Sequence, residues 1–133
     1  MGLVMTSPGI PMLFMGQELL AHEPWSDTPG ADTSIPWAAL EAGDKLSADF
    51  LRFARELIGV RRRYPALRGE GCAVIHVHDA NRVLAFQRWV EGQGRDVVVV
   101  CSLNENTLSN YAIGFPGSGR WREASTATST TIG

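Results

Sequence analysis

The segment SPGIPMLFMGQE, residues 7–18, constrains the fold of this chain more than any other part of its sequence. Pro8, Gly9 and Pro11 break the chain before an unbroken apolar stretch at residues 12–15. A continuous apolar stretch of this kind is typical of a strand that is buried on both faces. Gly16 and two polar residues then end it. The pattern predicts a buried strand over residues 12–15 that leads to an exposed rim, where binding residues commonly gather.

The composition restricts the class of protein further. With 133 residues, 44% hydrophobic and 20% charged, the chain can bury one core but is short for two complete domains. The formal net charge of −2 provides no basic excess to hold phosphates, which argues against a nucleic-acid partner. The apolar N-terminal stretch is interrupted by proline and glycine and has no leading Lys or Arg. It resembles neither a signal peptide nor a membrane span.

A helical pattern occupies the middle of the chain. Apolar residues recur at helical spacing between positions 50 and 60, Ser47 is placed to cap the helix, and Pro65 stops it. The pattern predicts a helix over residues 47–63. Three arginines, residues 61–63, fall in its last turn, where the helix dipole favours positive charge. We expect them to form a solvated helix end rather than a phosphate site.

From residue 71 onward the periodicity becomes that of strands. Residues 73–78, 82–90 and 96–103 are rich in β-branched and aromatic residues, and turn signals separate them. They predict an antiparallel meander, followed by a fourth strand at 110–115 and a possible fifth that begins at Trp121. The boundary between a helix-containing part and an all-β part is therefore expected near residues 65–70.

Two residue pairs could carry chemistry. Cys72 and Cys101 lie in apolar, strand-like surroundings without metal-ligand spacing, so we expect buried free thiols rather than a disulfide. His76 and His78 alternate on one face of a strand and could share a metal ion. A third ligand at workable spacing is missing, and exposed polar alternation explains the pair equally well. We therefore predict no metal site and no cofactor.

The carboxylates and tryptophans of the chain are compatible with a carbohydrate-binding site, but their spacing does not define one. Four acidic residues cluster in and after the first strand, and glycoside chemistry needs two carboxyl groups across a bond. Their spacing selects no pair; the four are Glu18, Glu23, Asp27 and Asp32. Trp25 lies on a polar loop over residues 19–45, where an indole face could stack on a sugar ring. For Trp89 and Trp121 packing is the simpler interpretation.

Combined motifs identify a family. The SPGIPMLFMGQE segment, with PWSD at 24–27 and IPW at 35–37, resembles the last barrel strand and following loop of the α-amylase superfamily, most closely its 1,4-α-glucan branching enzymes. FLRFARELIGVRRRYPALRGEG at 50–71 is similar to the last barrel helix and the lead into a C-terminal β domain. Three further segments resemble successive parts of that domain: NRVLAFQRW at 81–89, RDVVVVCSLNE at 95–105 and YAIGFPGSGRWRE at 111–123.

The resemblance implies the end of a (β/α)8 barrel at residues 1–66 and an all-β domain, part of an antiparallel sandwich, at 67–133. It also implies that the parent is a cytoplasmic glycosyltransferase that forms α-1,6 branches in glycogen-type glucan by double displacement. The three catalytic carboxylates of the family belong to earlier strands, so none is expected here. The residues expected nearest the glucan, as rim or scaffold, are Gln17, Glu18, Trp25 and Asp27.

Further expectations follow from the same resemblance. One strand and one helix cannot close a barrel, so the isolated chain should expose apolar surface and could self-associate through it. Relatives continue differently after Glu123, which suggests truncation of the β domain near residue 124 and an internal origin for Met1. Two alternatives stay open: a non-catalytic carbohydrate-binding or packing β module, or the same region of an α-amylase, a trehalose-forming hydrolase or an isomerase.

Overall fold

A computed structural model describes residues 1–22, 24, 26–28 and 35–127 of the chain. Its helices and strands are α1 (Gly2–Thr6), α2 (Trp37–Glu41), α3 (Lys45–Arg63), β1 (Gly71–His78), β2 (Val83–Trp89) and β3 (Val97–Ser102). Short 3-10 turns lie at Gln17–Leu19 and Pro65–Leu67. No helix in this described part of the chain is both long and apolar enough to cross a membrane.

The three strands form one antiparallel sheet in the order β1-β2-β3. This confirms the predicted meander, with strand ends within two residues of those expected from the sequence. Phe86 of β2 pairs with Val74 on one side and Val99 on the other, and the register shifts between Val74 and His76. The central strand is the most buried of the three, with Ala85 fully buried. The sheet is therefore built around β2, and in the described part of the chain each outer strand pairs with β2 alone.

Helix α3 begins two residues earlier than the pattern predicted, and its cap is a different residue. Asp44 is the N-cap, and its carboxylate accepts a hydrogen bond of 2.9 Å from the Ser47 backbone N–H. The Ser47 hydroxyl is instead buried and donates to the carbonyl of Leu19 at 3.2 Å. The prediction of Ser47 as the cap was wrong because Asp44 starts the helix three residues earlier and accepts from the Ser47 N–H, which places Ser47 inside the first turn. The bond from Ser47 joins α3 to the turn at Gln17–Leu19.

The strand predicted at residues 12–15 does not form. These residues have no regular secondary structure, and Met12 is 75% exposed. A strand needs a neighbour for its backbone hydrogen bonds, and no described segment pairs with this one. The strands predicted at 110–115 and from Trp121 are also absent, since residues 103–127 contain none. In the described residues, the β half is thus a three-stranded sheet followed by irregular chain.

Apolar burial concentrates where α3 meets the two 3-10 turns and where the second of these turns meets β2. Leu19, from the first of these turns, is 2% exposed, and Leu67, from the second, is 1% exposed. Helix α3 contributes Ala54 and Leu57 to the same core. The core therefore fixes residues 17–19, at the predicted rim, against the helix.

Candidate functional site

A tight turn occupies residues 14–19, where the sequence predicts an exposed rim. The side-chain oxygen of Gln17 accepts a hydrogen bond of 2.9 Å from the Phe14 backbone N–H, which closes the turn. Gly16 is buried with φ of 77°, and a Cβ there would lie 2.7 Å from the Cβ of Ala21. Both the backbone angle and the close approach require glycine. The backbone thus presents Gln17 and the following Glu18 together.

The four predicted site residues are not assembled into one group by the described part of the structure. Gln17 is exposed and Glu18 is half-buried in the same 3-10 turn, whereas Asp27 is exposed on the loop that follows. No hydrogen bond joins the described Asp27 to either of them. Trp25 lies outside the described residues. Their proposed contact with glucan therefore stays a prediction.

Two of the four acidic residues considered from the sequence, Glu23 and Asp32, also lie outside the described residues. For the other two, Glu18 and Asp27, the structure gives no arrangement that pairs them across a glycosidic bond. A hydrolytic or transfer reaction on a sugar needs two opposed carboxyl groups. What the turn offers is hydrogen-bonding groups from Gln17 and Glu18.

Arg61 is the first of two buried arginines that hold the chain leading to this turn. It is 9% exposed and lies in the last turn of α3. Its guanidinium donates to the carbonyls of Met5 at 2.8 Å, Ser7 at 3.1 Å and Gly9 at 2.6 Å. The expectation of a solvated helix end was wrong for this residue, because it follows Leu57 by four positions on the buried side of α3. Its two neighbours in the arginine run are exposed.

Arg88 is the second, and its side chain is fully buried in the middle of the molecule. It donates to the carbonyls of Gly71 at 2.9 Å and Gly69 at 2.5 Å, and also to that of Thr6. Burial lowers the pKa of the guanidinium from its ordinary value, and the positive charge of Arg61 acts in the same direction. Arginine nevertheless keeps its charge at neutral pH.

The two arginines, which we call the arginine pair, join three parts of the chain. Arg61 comes from α3 and Arg88 from β2, and both bind carbonyls of residues 5–9. Carbonyl oxygens rather than carboxylates are the hydrogen-bond acceptors in each case. Such charge-assisted bonds contribute about 1.5–3 kcal/mol each when the acceptors would otherwise be buried without partners. The pair therefore fixes the N-terminal segment that leads to the rim.

Sequence reasoning missed the arginine pair, although signals for it were present. Arg88 interrupts an apolar strand at the position where β2 is most buried, and a charge there needs partners. Arg61 continues the buried spacing of Ala54 and Leu57 along α3. The acceptors in residues 5–9 could not be named from the sequence, because they lie 52 to 82 residues from the arginines.

An aromatic cluster covers part of the sheet. The Nε2 atom of His76 lies 2.8 Å from the hydroxyl of Tyr111, and both His76 and His78 meet the Tyr111 ring edge-on. The Nδ1 atom of His78 accepts a hydrogen bond of 3.1 Å from the Asn81 backbone N–H. Within the described ranges, no three His, Cys, Asp or Glu side chains come together as metal ligands. The cluster attaches the irregular C-terminal segment to the sheet.

The two cysteines are free, and they differ in exposure. Cys101 is partly buried, and burial raises the pKa of its thiol. Cys72 is exposed, so the expectation of two buried thiols was wrong for this residue. It lies on an outer strand of a sheet that other elements cover only in part.

Comparison with known proteins gives matches over both halves of the chain. Residues 74–133 match the family described as alpha amylase, C-terminal all-beta domain. The 1,4-alpha-glucan branching enzyme GlgB of Mycolicibacterium paratuberculosis is 37% identical over 125 residues, which cover 87% of this chain and 16% of the enzyme. The enzyme of the same name from Cereibacter sphaeroides is 34% identical over 128 residues, 92% of this chain and 17% of the enzyme.

A third relative, the 1,4-alpha-glucan branching enzyme GlgB of Oceanobacillus iheyensis, is 28% identical over 99% of this chain and 21% of its own length. The chain thus spans between 16% and 21% of the length of these relatives. No solved structure matches it. The chain is a relative of one segment of the 1,4-α-glucan branching enzymes, and its second half matches the all-β C-terminal domain of the α-amylase family.

Proposed function

We propose that this chain is the C-terminal portion of a cytoplasmic 1,4-α-glucan branching enzyme and that it supports the reaction without supplying its catalytic carboxylates. The observation that carries the proposal is the extent of similarity, which covers 87% and 92% of the chain for two relatives. It therefore includes the helical half, which lies outside the match to the all-β domain at residues 74–133. We assign residues 1–66 to the end of the barrel and 67–133 to the β domain.

An exposed apolar surface supports the assignment of the first part. Ile10 is 97% exposed, Met12 75% and Phe14 46%. In a closed barrel, the last strand pairs with strands on both sides, which would cover such residues. The relatives are long enough to supply those strands, since the chain corresponds to 16% and 17% of two of them. Isolated, the same surface is expected to promote self-association.

The role we propose for the chain's own residues is to hold the rim. The arginine pair fixes residues 5–9, the core fixes Leu19, and the turn between them carries Gln17 and Glu18. Together with Trp25 and Asp27 on the following loop, these side chains would offer hydrogen bonds and a stacking face to a glucan. Cleavage of the α-1,4 bond and transfer to a 6-hydroxyl would be carried out by carboxylates of earlier barrel strands.

Activity measurements on the chain alone and in a chimera test this proposal. The chain replaces the matching segment of the Mycolicibacterium paratuberculosis enzyme, and branching of amylose is followed by the chain lengths released on debranching. We expect no new branches from the isolated chain and clear branching by the chimera. The enzyme with its matching segment deleted is the control. Turnover by the isolated chain, or a folded chimera that forms no branches, would contradict the proposal.

A further inference from the structure

A shallow pocket lies at the turn between β2 and β3, far along the chain from the rim. Its volume is about 290 Å³, and its lining includes Gln87, Trp89, Glu91 and Asp96. Gln87 and Trp89 are two residues apart on β2, so both side chains lie on the same face of the sheet. Asp96 comes just before β3, opposite the end of β2. The pocket is open to solvent and about as large as the smallest ligand sites, roughly 300 Å³.

The polar side chains of this pocket are held in place by one another. The amide nitrogen of Gln87 donates to a carboxylate oxygen of Asp96 at 2.5 Å. Each partner has further capacity, because a carboxylate has a second oxygen and the glutamine amide has a carbonyl oxygen and a second N–H. An ordered amide and carboxylate can therefore bind neighbouring hydroxyl groups as donor and acceptor without first losing side-chain freedom.

The indole of Trp89 packs against the neighbouring strand β1, which restricts its movement. A Cβ placed on Gly71, its partner on β1, would lie 2.6 Å from ring atoms of the indole, so the ring rests directly on the glycine backbone. The side chain is half-buried, and it also lines the pocket. A rigid, partly exposed aromatic ring next to hydrogen-bonding groups suits a ligand that is apolar on one face and polar at its edge.

A pyranose ring has this form, since its axial C–H groups make an apolar face and its hydroxyl groups surround the edge. We infer that the β2–β3 pocket is a saccharide subsite, with Trp89 as the stacking platform and Gln87 and Asp96 as the hydroxyl-binding groups. That the sugar is a glucose unit of an α-1,4-glucan rests on the proposed function. The pocket would be a second glucan-binding site, located in the β domain and separate from the rim at Gln17 and Glu18.

Indole N–H signals in a proton–nitrogen NMR spectrum of the whole chain test the subsite. The chain has four tryptophans, and Trp89→Phe identifies the Trp89 signal by its loss while keeping an aromatic ring on Gly71. On titration with maltoheptaose, we expect this signal to shift and saturate. Gln87→Ala should weaken the binding about tenfold. Trp121→Phe changes a residue that does not line the pocket and should leave the affinity unchanged.

Two results would overturn the inference. One is a Trp89 signal that does not shift even at tens of millimolar maltoheptaose. The other is a Gln87→Ala variant that binds maltoheptaose as tightly as the native chain. Cellohexaose, whose glucose units are β-1,4-linked, is compared with maltohexaose of the same length, and equal binding of the two would overturn the assignment to α-glucan. The subsite and the proposed function fail separately, because the NMR titration uses the isolated chain and branching is measured on the chimera.

Discussion

Two runs of four apolar residues adopt different structures in this chain. Residues 97–100 are consecutive valines that form most of β3, paired along their length with β2. Residues 12–15 are also continuously apolar, yet they form no strand, and Met12 and Phe14 are exposed. The difference is the presence of a neighbouring strand. An apolar run specifies a surface to be covered, and strand structure follows only when a partner supplies the backbone hydrogen bonds.

The arginine pair joins residues 5–9, which precede the unpaired run, to α3 and to β2, the strand that pairs with the valine run. Its removal is therefore expected to have the largest effect. Arg88→Met keeps the apolar stem but leaves the carbonyls of Thr6, Gly69 and Gly71 without their donor. We predict a loss of about 3–5 kcal/mol in the free energy of unfolding, measured by urea titration. Arg62→Met, at an exposed position next to Arg61, is the control. Equal stability of the two variants would show that the buried bonds contribute nothing.

Gly71→Ala tests the sheet region alone. The added Cβ would lie 2.6 Å from the Trp89 ring, which must move out of its place on β2. We predict a loss of about 1–3 kcal/mol, also by urea titration. Gly59→Ala in α3 is the matched control because nothing lies within 4 Å of its Cβ, and better helix propensity should stabilise it by up to about 1 kcal/mol. The same sign for both substitutions would contradict the packing described for Trp89.

Serine substitutions in the two apolar runs sharpen the comparison directly. Val99→Ser removes a half-buried side chain from β3 and should cost about 1 kcal/mol of unfolding free energy. Met12→Ser changes a residue that is 75% exposed and should alter stability by less than about 0.5 kcal/mol. Met12→Ser should also reduce self-association, observed by light scattering. A larger loss of stability for Met12→Ser would show that residues 12–15 are packed in the isolated chain.

A fall in pH should act on the N-terminus of α3, where Asp44 caps the helix. Hydrogen bonds from Ser47 lower the pKa of Asp44 from its ordinary value of 3.8. A carboxyl whose pKa is lower in the folded state stabilises the fold above its unfolded value, and this contribution disappears as the pH falls through the folded value. We predict that helix content declines below pH 3.8 more in the native chain than in Asp44→Asn, as followed by circular dichroism. Identical acid profiles would contradict the capping role.

Local patterns in the sequence predicted the elements whose partners are close along the chain. Helix α3 follows from its apolar spacing, and the sheet follows from strands joined by short turns. The cap was misassigned by three residues because Ser47 and Asp44 are both good capping residues, and only burial of the serine separates them. The strand at 12–15 was mispredicted because strand pairing is not a local property.

The candidate site was predictable only in outline. A break in the chain at Gly16 was expected and a tight turn forms there, but its role as a rim stays a prediction, and the residues that hold it were not found from the sequence. Arg61 and Arg88 both bind carbonyls of residues 5–9, more than 50 residues away, and charge in a sequence does not reveal which backbone groups it will meet. Trp89 was interpreted as packing alone, although its surface is shared between Gly71 and the β2–β3 pocket.

Hydrogen exchange of backbone amides in the two apolar runs tests the central claim most directly. In the isolated chain, we predict strong protection within β3 and exchange near the unfolded rate at residues 12–15. In the chimera with the Mycolicibacterium paratuberculosis enzyme, both runs should be protected, because residues 12–15 then gain neighbouring barrel strands. Protection of 12–15 in the isolated chain, or its absence in a chimera that forms branches, would contradict the account.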